Sequence, residues 1–104
     1  MVNGALTRLS GKPNSVLVKA VIQGYQWREQ LLTGPVDSIK DLARKNGMTT
    51  SYVMRVVRVG FLAADIMEAI FNGTQPADMT LERFRRPIPL EWPKQRQLFG
   101  FVAL

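Results

Sequence analysis

The sequence predicts an all-α fold, a compact bundle of about five to six helices, and three observations carry the prediction. Apolar residues recur at helical spacing in successive segments of the chain. Asn, Ser, Asp or Thr stands at the head of several of these segments, and glycine or proline at the foot, the ordinary start and stop signals of helices. Two of the segments meet at a glycine turn around Gly47, which makes a helix-turn-helix unit of residues 38–59. At 104 residues the chain is most simply one domain with a single modest core.

Residues 1–15 read as a flexible N-terminal arm, with Gly4, Gly11 and Pro13 and no sustained period. The domain proper then runs over residues 16–104. Its first helix is expected over residues 16–33, capped by Asn14 or Ser15, whose side chains can accept from otherwise unpartnered amides. Leu17, Ala20, Val21, Trp27 and Leu31 form its apolar stripe, and Gly24 falls on the same line. Val18, Ile22, Tyr25 and Leu32 widen the stripe towards most of the girth, so the helix is expected to be well buried, Tyr25 and Trp27 included. A mid-helix glycine costs about 1 kcal/mol relative to alanine, and close approach of another helix would compensate for Gly24. Gly34-Pro35 ends the segment.

The central unit follows. Ile39, Leu42 and Ala43 belong to its first helix, capped by Asp37 or Ser38; Thr49 or Thr50 caps the second. Ala43 is small enough to let the second helix cross closely, and Gly47 takes the positive φ of the turn without a Cβ clash. Met48, Val53 and Val56 are expected to fill the angle between the two. A fourth helix is predicted over residues 62–72, with Ile66, Ala69 and Ile70 inward, Asp65 suiting the helix dipole and Gly73 as the stop. Thr80 heads a short helix through Leu81 and Phe84 that Pro87 halts. Its Arg83, Arg85 and Arg86 form a basic cluster that suits phosphates or a solvated face. Ile88-Pro89-Leu90 should be extended. The tail, with Trp92, Leu98, Phe99 and Phe101, either packs back on the domain or leads into another domain or subunit.

Charge and composition narrow the function. Fourteen Lys and Arg stand against eight Asp and Glu, a net charge of +6, which favours an anionic partner, nucleic acid ahead of membrane surface. The chain has neither cysteine nor histidine. Disulfides, thiolate metal sites and thiol nucleophiles are excluded, and the usual general base is missing, so no cofactor or metal is expected. Nor do paired carboxylates or a phosphate-cradling glycine loop point to an enzyme. No apolar run nears the roughly 20 residues of a membrane span, and a cytoplasmic, membrane-free protein is the expectation.

Projected at 100° per residue, the second helix of the central unit puts Val53, Val56, Val57 and Gly60 on one side. Ser51, Arg55 and Arg58 fall opposite, with Met54 at their flank. That outer face suits double-stranded DNA: arginine can take guanine O6 and N7 together, while hydroxyls and first-turn amides suit phosphate. The expected contacts are Thr49, Thr50, Ser51, Tyr52, Met54, Arg55 and Arg58, with Lys40, Arg44 and Lys45 neutralising the DNA backbone alongside. A homodimer on paired half-sites, or a larger parent assembly, would fit such a unit. The alternative is a protein-interaction adaptor using the same fold.

The run Ser51-Tyr52-Val53, Arg55, Val57-Arg58-Val59, Leu62 and Asp65-Ile66-Met67-Glu68-Ala69-Ile70 to Gly73 resembles the helix-turn-helix of ParB-like partition proteins. It is more similar still to the C-terminal region of phage and bacterial proteins known as site-specific, serine-type recombinases. There the pattern extends to Val18-Lys19-Ala20, Trp27-Arg28, Leu81-Glu82-Arg83, Arg86-Pro87-Ile88-Pro89-Leu90-Glu91-Trp92 and Gln95-Arg96, and so spans residues 16–101. The resemblance implies a DNA-binding domain in which Thr50, Ser51, Arg55 and Arg58 make contacts, as a regulator or as the DNA-binding part of a recombinase-like protein. Ala64 departs from it, since those relatives carry proline before the acid that opens the fourth helix. The catalytic domain with its serine nucleophile has no counterpart here, so the resemblance implies no recombinase activity.

Overall fold

Capping side chains and left-handed glycines set most of the helix ends. In the computed structural model, which describes residues 13–101, Asn14 Oδ1 accepts from the amides of Val16 and Leu17 and opens α1 (Ser15–Thr33), which Gly34 closes. Ser38 Oγ accepts from the Asp41 amide to open α2 (Ile39–Asn46), and Thr49 Oγ1 from the Tyr52 amide to open α3 (Thr50–Gly60). Between them Gly47 takes φ 64°, where a side chain would be strained. Then come α4 (Ala64–Asn72), a 3-10 turn (Leu81–Arg85) and α5 (Trp92–Phe99). No strand occurs among the described residues, and none of their helices is long and apolar enough to cross a membrane. The expected arm lies outside the described residues over 1–12; Asn14 and Ser15, its last part, instead begin α1.

The bundle is built around α3. Helix α1 lies behind it, α2 beside it and the 3-10 turn against it, so three elements converge on eleven residues. Leu17 and Trp27 of α1, Leu42 of α2, Val53, Val56 and Val59 of α3, and Phe84 of the turn are all buried in one core. The close approach expected at Gly24 is made to α3: Gly24 faces Gly60, and a Cβ on Gly60 would stand 2.3 Å from the Gly24 carbonyl oxygen.

Two expectations about burial and one about a helix boundary are corrected. Trp27 is core, but Tyr25 is 48% exposed, and Ile22 and Leu32 are exposed with it. The crossing at Gly24 seats only one face of α1, and Tyr25 lies on the other, under the Arg28 guanidinium at 4.5 Å. Met48 does not fill the angle between α2 and α3 either. It is 47% exposed because the chain from Arg44 to Tyr52 runs along the surface, while Leu42, Ala43, Val53 and Val56 are all buried without it. Helix α4 starts at Ala64 rather than at 62, and Leu62 is buried in the turn before it.

That start has no capping side chain of its own, since Ala63 occupies the N-cap. A residue from the tail supplies the acceptor. Gln95 on α5 is fully buried; its Oε1 accepts from the Ala63 amide at 2.7 Å, and its Nε2 donates to the carbonyls of Phe61 (3.0 Å) and Pro89 (2.9 Å). Next to it Arg96 makes two hydrogen bonds to the Asp65 carboxylate, at 2.9 and 3.1 Å, and Phe99 packs on Phe84 with ring centroids 5.5 Å apart. Of the two alternatives for the tail, the described part therefore packs back on the domain. Thr80 makes no side-chain cap to the turn it precedes.

Candidate nucleic-acid interface

Helix α3 is buried on one side and open on the other. Val53, Val56, Val57, Val59 and Gly60 are buried; Thr50, Ser51 and Tyr52 are exposed, and Met54, Arg55 and Arg58 half-buried. Val59 is the residue the helical projection did not place inward; α3 has neighbours on several sides, so its buried arc is wider than a single-sided helix would show.

The outer face opens into a groove of about 330 Å³ between the first turns of α3 and the 3-10 turn, lined by Thr50, Ser51, Met54, Arg55, Arg58 and Arg85. Arg55 Nη1 donates to Ser51 Oγ at 3.3 Å, so hydroxyl and guanidinium point to the same place one helical turn apart. Thr49 does not line the groove; its hydroxyl oxygen is engaged as the cap of α3. Thus Thr50, Ser51, Met54, Arg55 and Arg58 are brought together. Tyr52 is not with them: it lines a different shallow groove with Lys19, Ile22, Gln23, Trp27 and Met48.

Arg58 behaves differently from what its helical position suggests. Its Nη1 donates to the backbone carbonyls of Phe84, at 3.0 Å, and Arg85, at 2.8 Å. These carbonyls end the 3-10 turn, so Arg58 ties the turn to the flank of α3. The sequence offers no local signal of this contact, which links positions 26 and 27 residues apart.

The cations of α2 lie outside the groove. Lys40, Arg44 and Lys45 are all exposed. Asp41 holds two of them, pairing with Arg44 and, at 3.6 Å, with Lys45, whose Nζ also reaches the Pro35 carbonyl at 3.4 Å. Desolvation pushes the Asp41 carboxyl up, but the Asp37 amide, Arg44 and Lys45 outweigh it and hold that carboxyl below the ordinary aspartate range. At the far end of α3, Arg28 of α1 donates to the Gly60 carbonyl at 3.3 Å, placing a cation at the negative end of the helix.

Charge in the groove is one-sided. Its lining holds three guanidinium groups and no carboxylate. Neither Arg55 nor Arg58 forms an ion pair among the described residues; Arg85 has a solvent-exposed one with Glu82 at 2.8 Å. An arginine bonded to neutral carbonyls keeps its net charge for an anion. No protein-family model, curated protein or solved structure matches this chain.

Proposed function

We propose that the chain binds double-stranded DNA through a helix-turn-helix made of α2 and α3, with α3 as the recognition helix. One observation carries this reading: the exposed N-terminal half of α3 presents Thr50, Ser51 and Arg55 in a groove that holds cations and no carboxylate, while its opposite face is buried in valines. In a major groove the N-terminal residues of such a helix meet base edges and phosphates. Arg55 is the base-reading side chain, with the geometry to take guanine O6 and N7; Thr50, Ser51 and the first-turn amides hold the DNA backbone. Lys40, Arg44 and Lys45 neutralise phosphates from the side of α2. The ParB-like and recombinase-like resemblance supports the same reading, as a regulator or as the DNA-binding part of a larger protein, on paired half-sites if it dimerises.

Selection of bound sequences from a random duplex pool tests it. The reading expects an enriched motif, palindromic if two copies bind together. Recovery of a pool indistinguishable from the input would remove sequence-specific binding.

A protein-interaction adaptor is the second reading, favoured by the exposed apolar side chains Ile22, Tyr25 and Phe71 around a groove between α1 and α4. It expects a protein ligand whose binding is indifferent to Arg55→Glu.

A further inference from the structure

The basic cluster after α4 is placed by the fold in a way that the helix-turn-helix alone does not require. Phe84 anchors the 3-10 turn: it is fully buried and packs on Phe99. Arg58 then fixes the turn's exit, through the carbonyls of Phe84 and Arg85. Two restraints of different kinds thus hold one short segment against α3. The side chain of Arg85 is left 61% exposed and lines the same groove as Ser51 and Arg55. Its neighbour Arg83 is turned elsewhere, over the Phe99 ring at 5.4 Å, and does not line the groove.

We infer that the 3-10 turn is the second wall of the DNA interface, in which Arg85 contacts a backbone phosphate lying in the groove beside α3 and Arg58 is the positioning residue that holds it there. This rests on the DNA-binding reading above. The groove's chemistry fits a phosphodiester: guanidinium donors on both walls, hydroxyls on one, and an opening to solvent. A phosphodiester has two unesterified oxygens with one charge between them, and charge-assisted bonds from separate arginines satisfy both. Glu82 competes for Arg85, but only through an exposed pair of the kind that contributes little and that a phosphate displaces. Because the turn is tied to α3 through Arg58, the backbones of Arg55 and Arg85 are set relative to one another before DNA arrives, and binding has only their side chains left to order.

The experiment is a salt titration of binding to a labelled duplex of random sequence. It compares the unaltered chain with Lys45→Ala, Arg85→Ala, Arg58→Ala, the double variant Arg58→Ala/Arg85→Ala, Arg83→Ala and Glu82→Gln, and thermal melts confirm the fold of each. Arg85→Ala should lower the slope of log affinity against log salt by about 0.9, the share of one phosphate, and weaken binding about tenfold at moderate salt. Glu82→Gln should tighten binding, and Arg83→Ala should leave the slope as it was. Arg58→Ala should weaken binding, and adding Arg85→Ala to it should change little more, since a misplaced Arg85 has little left to lose. Additive losses would overturn the positioning role of Arg58. If the unaltered chain binds with a steep slope that Lys45→Ala reduces, while Arg85→Ala matches the unaltered chain, the inference falls and the helix-turn-helix reading stands. Absence of salt-dependent binding by the unaltered chain overturns both. Arg85 and Glu82 are exposed, so their variants decide the matter even if Arg58→Ala fails to fold.

Discussion

Gly24 of α1 and Gly60 of α3 meet backbone to backbone: a Cβ on Gly24 would lie 2.2 Å from the Val56 carbonyl oxygen and 2.8 Å from the Gly60 nitrogen. No side chain separates the two helices there. The crossing fixes how α3 is rolled about its own axis, and with it which residues face outward. The open face of Ser51 and Arg55 is thus set from behind, by two glycines on the opposite side of the helix.

Substitution at this crossing should reverse the usual helix rule. Replacing an exposed mid-helix glycine by alanine gains about 1 kcal/mol in intrinsic propensity. Here the methyl group would meet backbone atoms that cannot rotate away, so α1 must lift from α3. Gly24→Ala and Gly60→Ala are each expected to destabilise by about 3 kcal/mol, the upper range of overpacking effects, as read from urea unfolding midpoints. A neutral or stabilising result would mean that the helices do not touch at this point.

Gln95 is expected to matter more than its polar character suggests. Its amide satisfies one N–H and two carbonyls belonging to Ala63, Phe61 and Pro89; the bond to Ala63 is buried and the other two are partly so. Gln95→Leu keeps the bulk and leaves those groups without partners, at about 2–4 kcal/mol. Gln95→Glu is no rescue at neutral pH, because a carboxylate accepts from Ala63 but cannot donate to the carbonyls. Chemical denaturation of both variants checks this; wild-type stability in Gln95→Leu would contradict the bonded arrangement.

The Asp65–Arg96 pair gives stability a pH dependence of known sign. The hydrogen bond from Arg96, with its charge, holds the Asp65 carboxyl below the ordinary aspartate value of 3.8. The folded chain therefore binds this proton less readily than the unfolded chain. The contribution is fully present above the unfolded value and is lost as pH falls through the lower folded one. The stability difference between the unaltered chain and Asp65→Asn should be constant from about pH 8 to 6 and shrink as pH falls below the unfolded value and through the lower folded one. A difference that stays constant across that whole range would show that charge has no part in it.

On α2, Lys45→Ala is expected to weaken binding to all DNA sequences alike, because a phosphate contact carries no sequence information. Competition assays with selected and scrambled duplexes check this. A loss confined to the selected duplex would make Lys45 a base-reading residue instead.

Much of this was legible in the sequence wherever the physics is local. Asn14, Ser38 and Thr49 cap the helices that follow them, Gly34, Gly47 and Gly73 close helices in the left-handed conformation, and the inward valines Val53, Val56 and Val57 follow from a period alone. Contacts set by tertiary placement were not legible. Periodicity shows that Ile22 and Tyr25 are apolar but not how much of the girth of α1 its neighbours cover, and they stay exposed. Arg58 has the outward position of a DNA-contacting residue, and only the arrival of the turn at residues 81–85 shows that its Nη1 is engaged by carbonyls. Gln95 has the look of a solvated residue between Lys94 and Arg96, and its burial depends on where α5 docks.

The central proposal, that α3 reads double-stranded DNA with Arg55, is tested most directly by the affinity of a selected duplex for the unaltered chain, Arg55→Ala and Arg55→Glu at salt concentrations from about 50 to 200 mM. The account expects binding that weakens steeply with salt, a loss of about 1–3 kcal/mol for Arg55→Ala, and a larger loss for Arg55→Glu. Affinity indifferent to salt, or equal for all three proteins, would contradict it.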